Sequence, residues 1–114
     1  MKIIYIAGPY RAEGANAILQ NILEARAVAI ELWKLGYVAI APHCNTFLMD
    51  GAAPDEVWLA GDLEILRRCD LVVMRRGWWD SSGAVAERQE AKSRCMSVYE
   101  WPRDRDLLAK EAKT

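Results

Sequence analysis

The chain has 114 residues, of which 53% are hydrophobic and 27% are charged, as in a soluble globular protein of one domain spanning residues 1–114. Its 15 basic and 16 acidic residues give a net charge of −1, which excludes a basic surface for polymeric nucleic acid or an anionic membrane. No apolar run could span a bilayer, and no signal-peptide pattern is seen at the N-terminus. Three cysteines without a CxxC motif indicate free thiols in a reducing cytosol, so we expect a cytoplasmic protein.

Strand and helix patterns alternate along the whole chain. Four short apolar runs predict buried strands over residues 3–7, 37–41, 70–74 and 96–99. A long helix is predicted up to Gly36, beginning near Asn16 or later, where Asn21 and Glu24 have capping-box spacing. Further helices are predicted over residues 54–69, from Ser81 or Ser82 to 94, and over 104–113, with loops over 43–53 and 75–80.

This alternation predicts an α/β fold with three layers. We expect a flavodoxin-like (Rossmann-like) parallel sheet of four to five strands, with helices on both faces. Ligands of such sheets bind beyond the carboxyl ends of the strands. The loops after Ala7, Ala41 and Met74 are therefore the candidate site.

The first candidate segment is Gly8-Pro9-Tyr10-Arg11, which directly follows the first strand. Glycine lets a backbone approach a ligand closely, and an arginine can pair with a phosphate or a carboxylate. A Gly-Pro pair after a strand also occurs as a plain turn, and both interpretations stay open.

The second candidate is Asp62, whose neighbours at helical spacing are the apolar residues Trp58, Leu59, Ile65 and Leu66. A carboxylate beside an apolar face is costly unless it is paired, solvated or functional. Asp62 is thus either a functional group or a rim acid that reaches water or an arginine, with Arg67 and Arg68 as possible partners.

The third candidate segment runs from Ser81 to Glu87. The helical neighbours of Glu87 are small, namely Gly83, Ala84 and Ala91, as on a helix face that packs closely against a sheet. An inward glutamate there is sensible if it meets a ligand, while Ser81, Ser82 and the free helix N-terminus suit an anion or sugar hydroxyls. The alternative is a glutamate that reaches water past its small neighbours.

His43 and the tryptophans are weaker candidates for the functional site. His43 is the only histidine and has no cysteine or carboxylate cluster around it, so we predict no metal site and no cofactor. His43 forms either a pocket wall or part of a plain loop. Trp33 and Trp58 are predicted in the core, whereas Trp78 and Trp79 lie in a candidate loop, where they either stack on a base or pack.

Taken together, these motifs resemble the nucleoside 2-deoxyribosyltransferases and the related nucleoside 5′-monophosphate N-glycosidases. The resemblance covers roughly residues 3–99 and rests on the ordered set Tyr5 to Arg11, Asp62 to Val73 and Ser81 to Glu87. Short phage and bacterial members share the Gly-Trp-x-x-Ser-x-Gly-Ala pattern found at Gly77 to Ala84.

The resemblance implies roles for individual residues. Glu87 would be the nucleophile at the sugar C1′, Tyr5 its hydrogen-bond partner, and Asp62 the proton donor and acceptor. Ser81 stands where the transferases carry an aspartate and the monophosphate hydrolases a serine, which together with Arg11 favours a 5′-monophosphate substrate. Further residues that we expect to bind the substrate are Gly8, Pro9, Tyr10, His43, Trp78, Ser82 and Gly83.

The sequence leaves two alternative functions open and also predicts an oligomer. A catalytically silent nucleotide-binding module could use the same sheet, and an enzyme that cleaves the nicotinamide glycosidic bond of NAD could use the same glutamate. The family builds each pocket from two subunits, and the tryptophans at positions 58, 78, 79 and 101 exceed what a small core needs. We therefore expect a homodimer or a larger homo-oligomer.

Overall fold

The computed structural model describes residues 1–113 and contains a parallel sheet of four strands in the order β2-β1-β3-β4. The strands are β1 (Ile3–Ala7), β2 (Val38–Ile40), β3 (Leu71–Met74) and β4 (Ser97–Glu100). Tyr5 in β1 lies in register between Ile40 of β2 and Val72 of β3. β1 and β3 are central strands, which explains why both are apolar on both faces. The predicted parallel sheet is confirmed.

Helices cover both faces of the sheet and give the predicted three layers. They are α1 (Ala15–Leu35), α2 (Pro42–Asn45), α3 (Asp55–Arg67), α4 (Ser82–Ser93) and α5 (Arg105–Glu111). One core cluster joins α1 and α5 to the sheet through Val28, Leu32 and Leu108. The other joins α3 and α4 to the opposite face through Leu66 and Ala84. The helices of the described chain are too short or too polar to cross a membrane.

The structure decides between the two helix starts that the sequence left open. The start of α1 near Asn16 is confirmed, since the helix begins at Ala15, whereas the capping-box start at Asn21 is wrong, because the Asn21 side chain instead donates to the carbonyl of Tyr10 at 3.0 Å. The end of the helix at Gly36 is confirmed, since this glycine adopts a left-handed φ of 106°. The predicted loop after Pro42 starts as the short helix α2, because proline is well suited to a first helical position.

The prediction that Trp33 belongs to the core was also wrong. Trp33 is 53% exposed and Ile30 is 45% exposed, so α1 carries a second apolar flank beside the edge strand β2. The apolar periodicity of α1 identifies a helix but does not distinguish which of two adjacent apolar flanks faces the sheet. Val28 and Leu32 occupy the flank that does.

Candidate functional site

A cavity of about 630 Å³ lies beyond the carboxyl ends of β1 and β3. Nine of the predicted site residues line it, namely Gly8, Pro9, Tyr10, Arg11, His43, Ser81, Ser82, Gly83 and Glu87. The wall also contains residues that were not predicted for the site, including Thr46, Asp50, Asp55, Glu56, Trp58, Leu59, Gly77, Asp80 and Ala84. The three predicted loops therefore do converge on one cavity.

Glu87 lies on the inner wall of this cavity and is buried. Ser81 caps α4 by accepting a hydrogen bond from the Ala84 N–H at 3.2 Å. Ala84 and Ala91 pack against the sheet, and Glu87, between them on the same face, is only 5% exposed. Its carboxylate accepts a hydrogen bond from the hydroxyl of Tyr5, which is fully buried in β1. The inward orientation predicted for Glu87 is confirmed.

Asp62 lies close enough to this pair to affect its ionisation. Burial raises the pKa of Asp62 to about 6. The pKa of Glu87 is raised to about 7. Burial is the largest cause, the hydrogen bond from Tyr5 lowers this pKa, and the charge of Asp62 raises it. Burial and then the charge of Glu87 raise the pKa of Tyr5, which stays protonated as the donor.

The alternative partners of Asp62 are occupied elsewhere. Arg67 pairs with Glu90 at 3.4 Å and with Glu64 at 3.9 Å, and Arg68 pairs with Glu64 at 3.0 Å. Asp62 is not on the cavity wall itself. It lies one helical turn beyond Trp58 and close in sequence to Leu59, both of which line the cavity.

The mouth of the cavity is crossed by contacts between two loops. The hydroxyl of Tyr10 donates to Asp50, and Arg11 pairs with Asp50 at 3.3 Å and with Asp55 at 2.5 Å. Arg11 is the only arginine or lysine on the described wall, against the carboxylates of Asp50, Asp55, Glu56, Asp80 and Glu87. Any anionic ligand would compete with Asp50 and Asp55 for Arg11.

His43 forms part of the wall as a neutral side chain. Its ring lies 4.8 Å from the ring of Tyr10, measured between centroids. Burial and then the charge of Arg75 lower the pKa of His43 to about 4, against an opposing effect of Asp50. A neutral imidazole can donate one hydrogen bond and accept another.

The structure decides between the two interpretations of Trp78 and corrects the prediction for Trp58. Trp78 does not line the cavity, because its indole N–H donates to Glu100 at 2.9 Å and Arg88 lies 4.7 Å from its ring, so its position does not support stacking on a base. Trp58, predicted for the core, is half-buried and lines the cavity, and within residues 1–113 its buried indole N–H has no hydrogen-bond partner. Trp79 is 57% exposed.

The cavity therefore joins the buried carboxyl of Glu87, with the half-buried Asp62 behind the wall, to a polar mouth. Paired carboxyls of raised pKa can divide the roles of nucleophile and proton donor between them. Among the described residues, histidine, cysteine and carboxylate side chains form no group of three or more that could hold a metal ion. The chemistry available to these side chains is acid–base and nucleophilic.

The comparisons with known proteins agree with this architecture. The family model described as a domain of unknown function, DUF4406, matches residues 2–100, and the chain belongs to that family. No curated protein matches the chain. The fold is similar to that of a 2-deoxyribosyltransferase from the psychrotolerant bacterium Bacillus psychrosaccharolyticus, with a TM-score of 0.64 and 20% identity over 86% of this chain and 70% of that chain.

Proposed function

We propose that the protein cleaves the N-glycosidic bond of a nucleoside or a nucleoside 5′-monophosphate through a covalent glycosyl-Glu87 intermediate. The observation that carries the proposal is the buried carboxylate of Glu87, which accepts a hydrogen bond from Tyr5 and lies on the inner wall of the cavity. Glu87 is 5% exposed and forms no ion pair within residues 1–113, so its charged form costs stability, as groups at functional sites often do.

In the first step, a carboxylate oxygen of Glu87 forms a bond to C1′ as the bond from C1′ to the base nitrogen breaks. The departing base takes the bonding electrons and receives a proton from the carboxyl of Asp62. In the second step, Asp62 accepts a proton from water, and the water oxygen bonds to C1′ as the ester bond to Glu87 breaks. A second base in place of water would make the reaction a transfer.

The carboxyl pair must hold one proton for the first step to begin. Because the pKa values of Glu87 and Asp62 are about 7 and about 6, the resting site favours the proton on Glu87. Moving it to Asp62 costs on the order of 1 kcal/mol, since one pKa unit corresponds to about 1.4 kcal/mol. Hydrogen bonding from Tyr5 favours the ionised form of Glu87 and keeps this cost small.

The fold comparison supports the same chemistry. The neighbour of known structure is a 2-deoxyribosyltransferase, an enzyme of nucleosides, and the carboxyl pair lies at the end of the sheet where such a fold binds ligands. We therefore place the substrate in the class of purine and pyrimidine nucleosides, with either water or a base as the acceptor.

A substrate panel tests the proposal. The protein is incubated with 2′-deoxyadenosine, 2′-deoxyguanosine, 2′-deoxycytidine, thymidine and their 5′-monophosphates, with and without added adenine, and free base is measured by chromatography. We expect base release by the wild type, none by Glu87→Gln, and wild-type release by Glu90→Gln. Glu90 is a matched control because it lies on the same helix and, among residues 1–113, forms its ion pairs with the surface residues Arg67 and Arg94.

A further inference from the structure

A buried arginine lies behind the wall of the cavity and takes no part in the steps above. Arg75 follows β3, and its backbone N–H donates to the carbonyl of Ala7 at 2.7 Å, which extends the pairing of the two central strands. The residue is 3% exposed, although arginine is rarely buried to this extent unless it is paired.

The side chain of Arg75 joins three segments that surround the cavity. Its Nη2 donates to the carbonyl of Pro9 at 2.6 Å, and its Nη1 lies 3.7 Å from the carboxylate of Glu24 on α1. Its charge also acts on His43 in α2. Pro9 lines the cavity, so this buried cation ties one of the cavity walls to α1.

Gly8 allows this arrangement. A Cβ at position 8 would lie 2.7 Å from Nε of Arg75 and 2.8 Å from its Cβ, closer than real side chains approach. Glycine is therefore required for the arginine to pass beneath the loop, and this accounts for Gly8 in a way that contact with a ligand does not.

The burial of Arg75 is incompletely compensated. Its Nε has no hydrogen-bond partner within residues 1–113, and its one carboxylate partner, Glu24, has a side chain that is 57% exposed. Burial accordingly lowers the pKa of Arg75. A costly buried cation of this kind is retained where it fixes a geometry that weaker contacts would leave mobile.

We propose that Arg75 is a positioning residue, whose guanidinium holds the Gly8–Tyr10 loop against α1 and so sets how tightly a nucleoside is bound. This inference rests on the proposed function, from which the nucleoside ligand is taken. Arg75 acts through Pro9, and its described side-chain contacts are with Pro9 and Glu24 and not with Glu87, so its removal affects binding more than the chemical step.

Arg75→Met tests the inference, with the exposed neighbour Arg76→Met as its matched control. With whichever of the four 2′-deoxynucleosides the wild type cleaves fastest, we expect Arg75→Met to raise KM about 10-fold, as for loss of a charged hydrogen bond, and to change kcat less than about 3-fold. Arg76→Met should change neither constant. A folded Arg75→Met with the wild-type KM, or with a loss confined to kcat, overturns the inference.

A second readout does not depend on turnover. His43 is the only histidine, so its NMR titration is unambiguous, and the groups that act on it are Arg75, Asp50 and the ring of Tyr10. We expect the pKa of His43 to rise from about 4 in Arg75→Met, without reaching its ordinary value near 6.5 because burial remains. An unchanged titration overturns the inference, because the guanidinium would then not lie where its charge reaches the cavity wall at His43. If no nucleoside is cleaved, the proposed function fails while this measurement still decides the role of Arg75.

If Arg75→Met does not fold, Gly8→Ala provides a second test of the same inference. Its added methyl displaces the guanidinium from Pro9 while the charge stays in the protein. We expect the same rise in KM with kcat nearly unchanged. A wild-type KM in Gly8→Ala contradicts the inference, because the loop would then hold its position without the arginine contact.

Discussion

The hydroxyl of Tyr5 donates a hydrogen bond to the carboxylate of Glu87 and thereby joins the central strand β1 to the helix α4. One neutral donor does not compensate a carboxylate for the loss of water, so burial still raises the pKa of Glu87 to about 7. The pair is thus unfavourable for stability and suited to catalysis near neutral pH. The consequences can be measured.

The pH profile of base release should be bell-shaped, with its maximum between about pH 6 and 7. The active form holds one proton on the carboxyl pair, whose members have pKa values of about 6 for Asp62 and about 7 for Glu87. Below this range both carboxyls are protonated and no nucleophile remains, and above it both are ionised and no acid remains.

Asp62→Asn provides the control for this profile. We expect base release to fall about 100-fold through loss of the general acid and the alkaline limb to disappear. The remaining acid limb should follow Glu87 alone, whose pKa stays raised by burial but falls below about 7 without the charge of Asp62. A variant that keeps both limbs would show that Asp62 does not supply the proton.

Glu87→Gln should make the protein more stable at pH 8 but not at pH 4. The pKa of Glu87 is about 7 in the folded state and has its ordinary value of 4.5 in the unfolded state. Between these pH values the folded state binds more protons than the unfolded state, so the wild type loses stability as the pH rises through this range. The full penalty for the wild type is about 3 kcal/mol above pH 7. Urea unfolding of the two proteins at both pH values measures the difference.

Glu90→Gln is again the control, because Arg94 and Arg67 lower the pKa of Glu90 and its ionisation is complete well below pH 8. Its stability relative to the wild type should not change between pH 6 and pH 8. An equal response of both variants in that interval would argue against a raised pKa at Glu87.

Arg11→Ala should discriminate between a 5′-monophosphate and its nucleoside. Arg11 is the only arginine or lysine on the described cavity wall, and the sequence predicts that it binds phosphate. We expect the variant to lower kcat/KM about 10-fold or more for the monophosphate, as for loss of a charge-assisted hydrogen bond, and less than about 2-fold for the nucleoside. An equal fall for both substrates would mean that Arg11 only ties the loops together through Asp50 and Asp55.

The protein should form at least a dimer of its 12.9 kDa chain. The cavity is open, and large apolar side chains remain at the surface, with Trp33 at 53%, Trp79 at 57% and Leu48 at 82% exposure. Of the rings that the sequence offered for a contact, Trp79 remains exposed, whereas Trp58, Trp78 and Trp101 are half-buried. Light scattering at micromolar protein measures the mass. A monomer that releases base at the full rate contradicts a shared site.

The sequence predicts the sheet well, because short apolar runs between helices leave few arrangements of parallel strands. It also predicts the orientation of Glu87, since small residues on one helical face require a close neighbour. It does not predict Trp33, because α1 has two adjacent apolar flanks and periodicity alone does not choose between them.

The parts of the site that were missed depend on contacts distant in the chain. Asp50 lies in a loop with no motif, and its importance comes from meeting Tyr10 and Arg11. Arg75 looks like a surface residue in an arginine pair, and only the packing beneath Gly8 shows that it is buried. An arginine directly after a central apolar strand was the one available signal.

The covalent intermediate tests the central claim most directly. The wild-type protein is quenched in acid during turnover of 2′-deoxynucleosides, and intact and peptide mass spectrometry locate any added sugar. We predict an increase of one deoxyribosyl group on Glu87 in the wild type, and neither this adduct nor base release in Glu87→Gln. Base release that persists in Glu87→Gln, without an adduct on the wild type, would contradict the role assigned to Glu87.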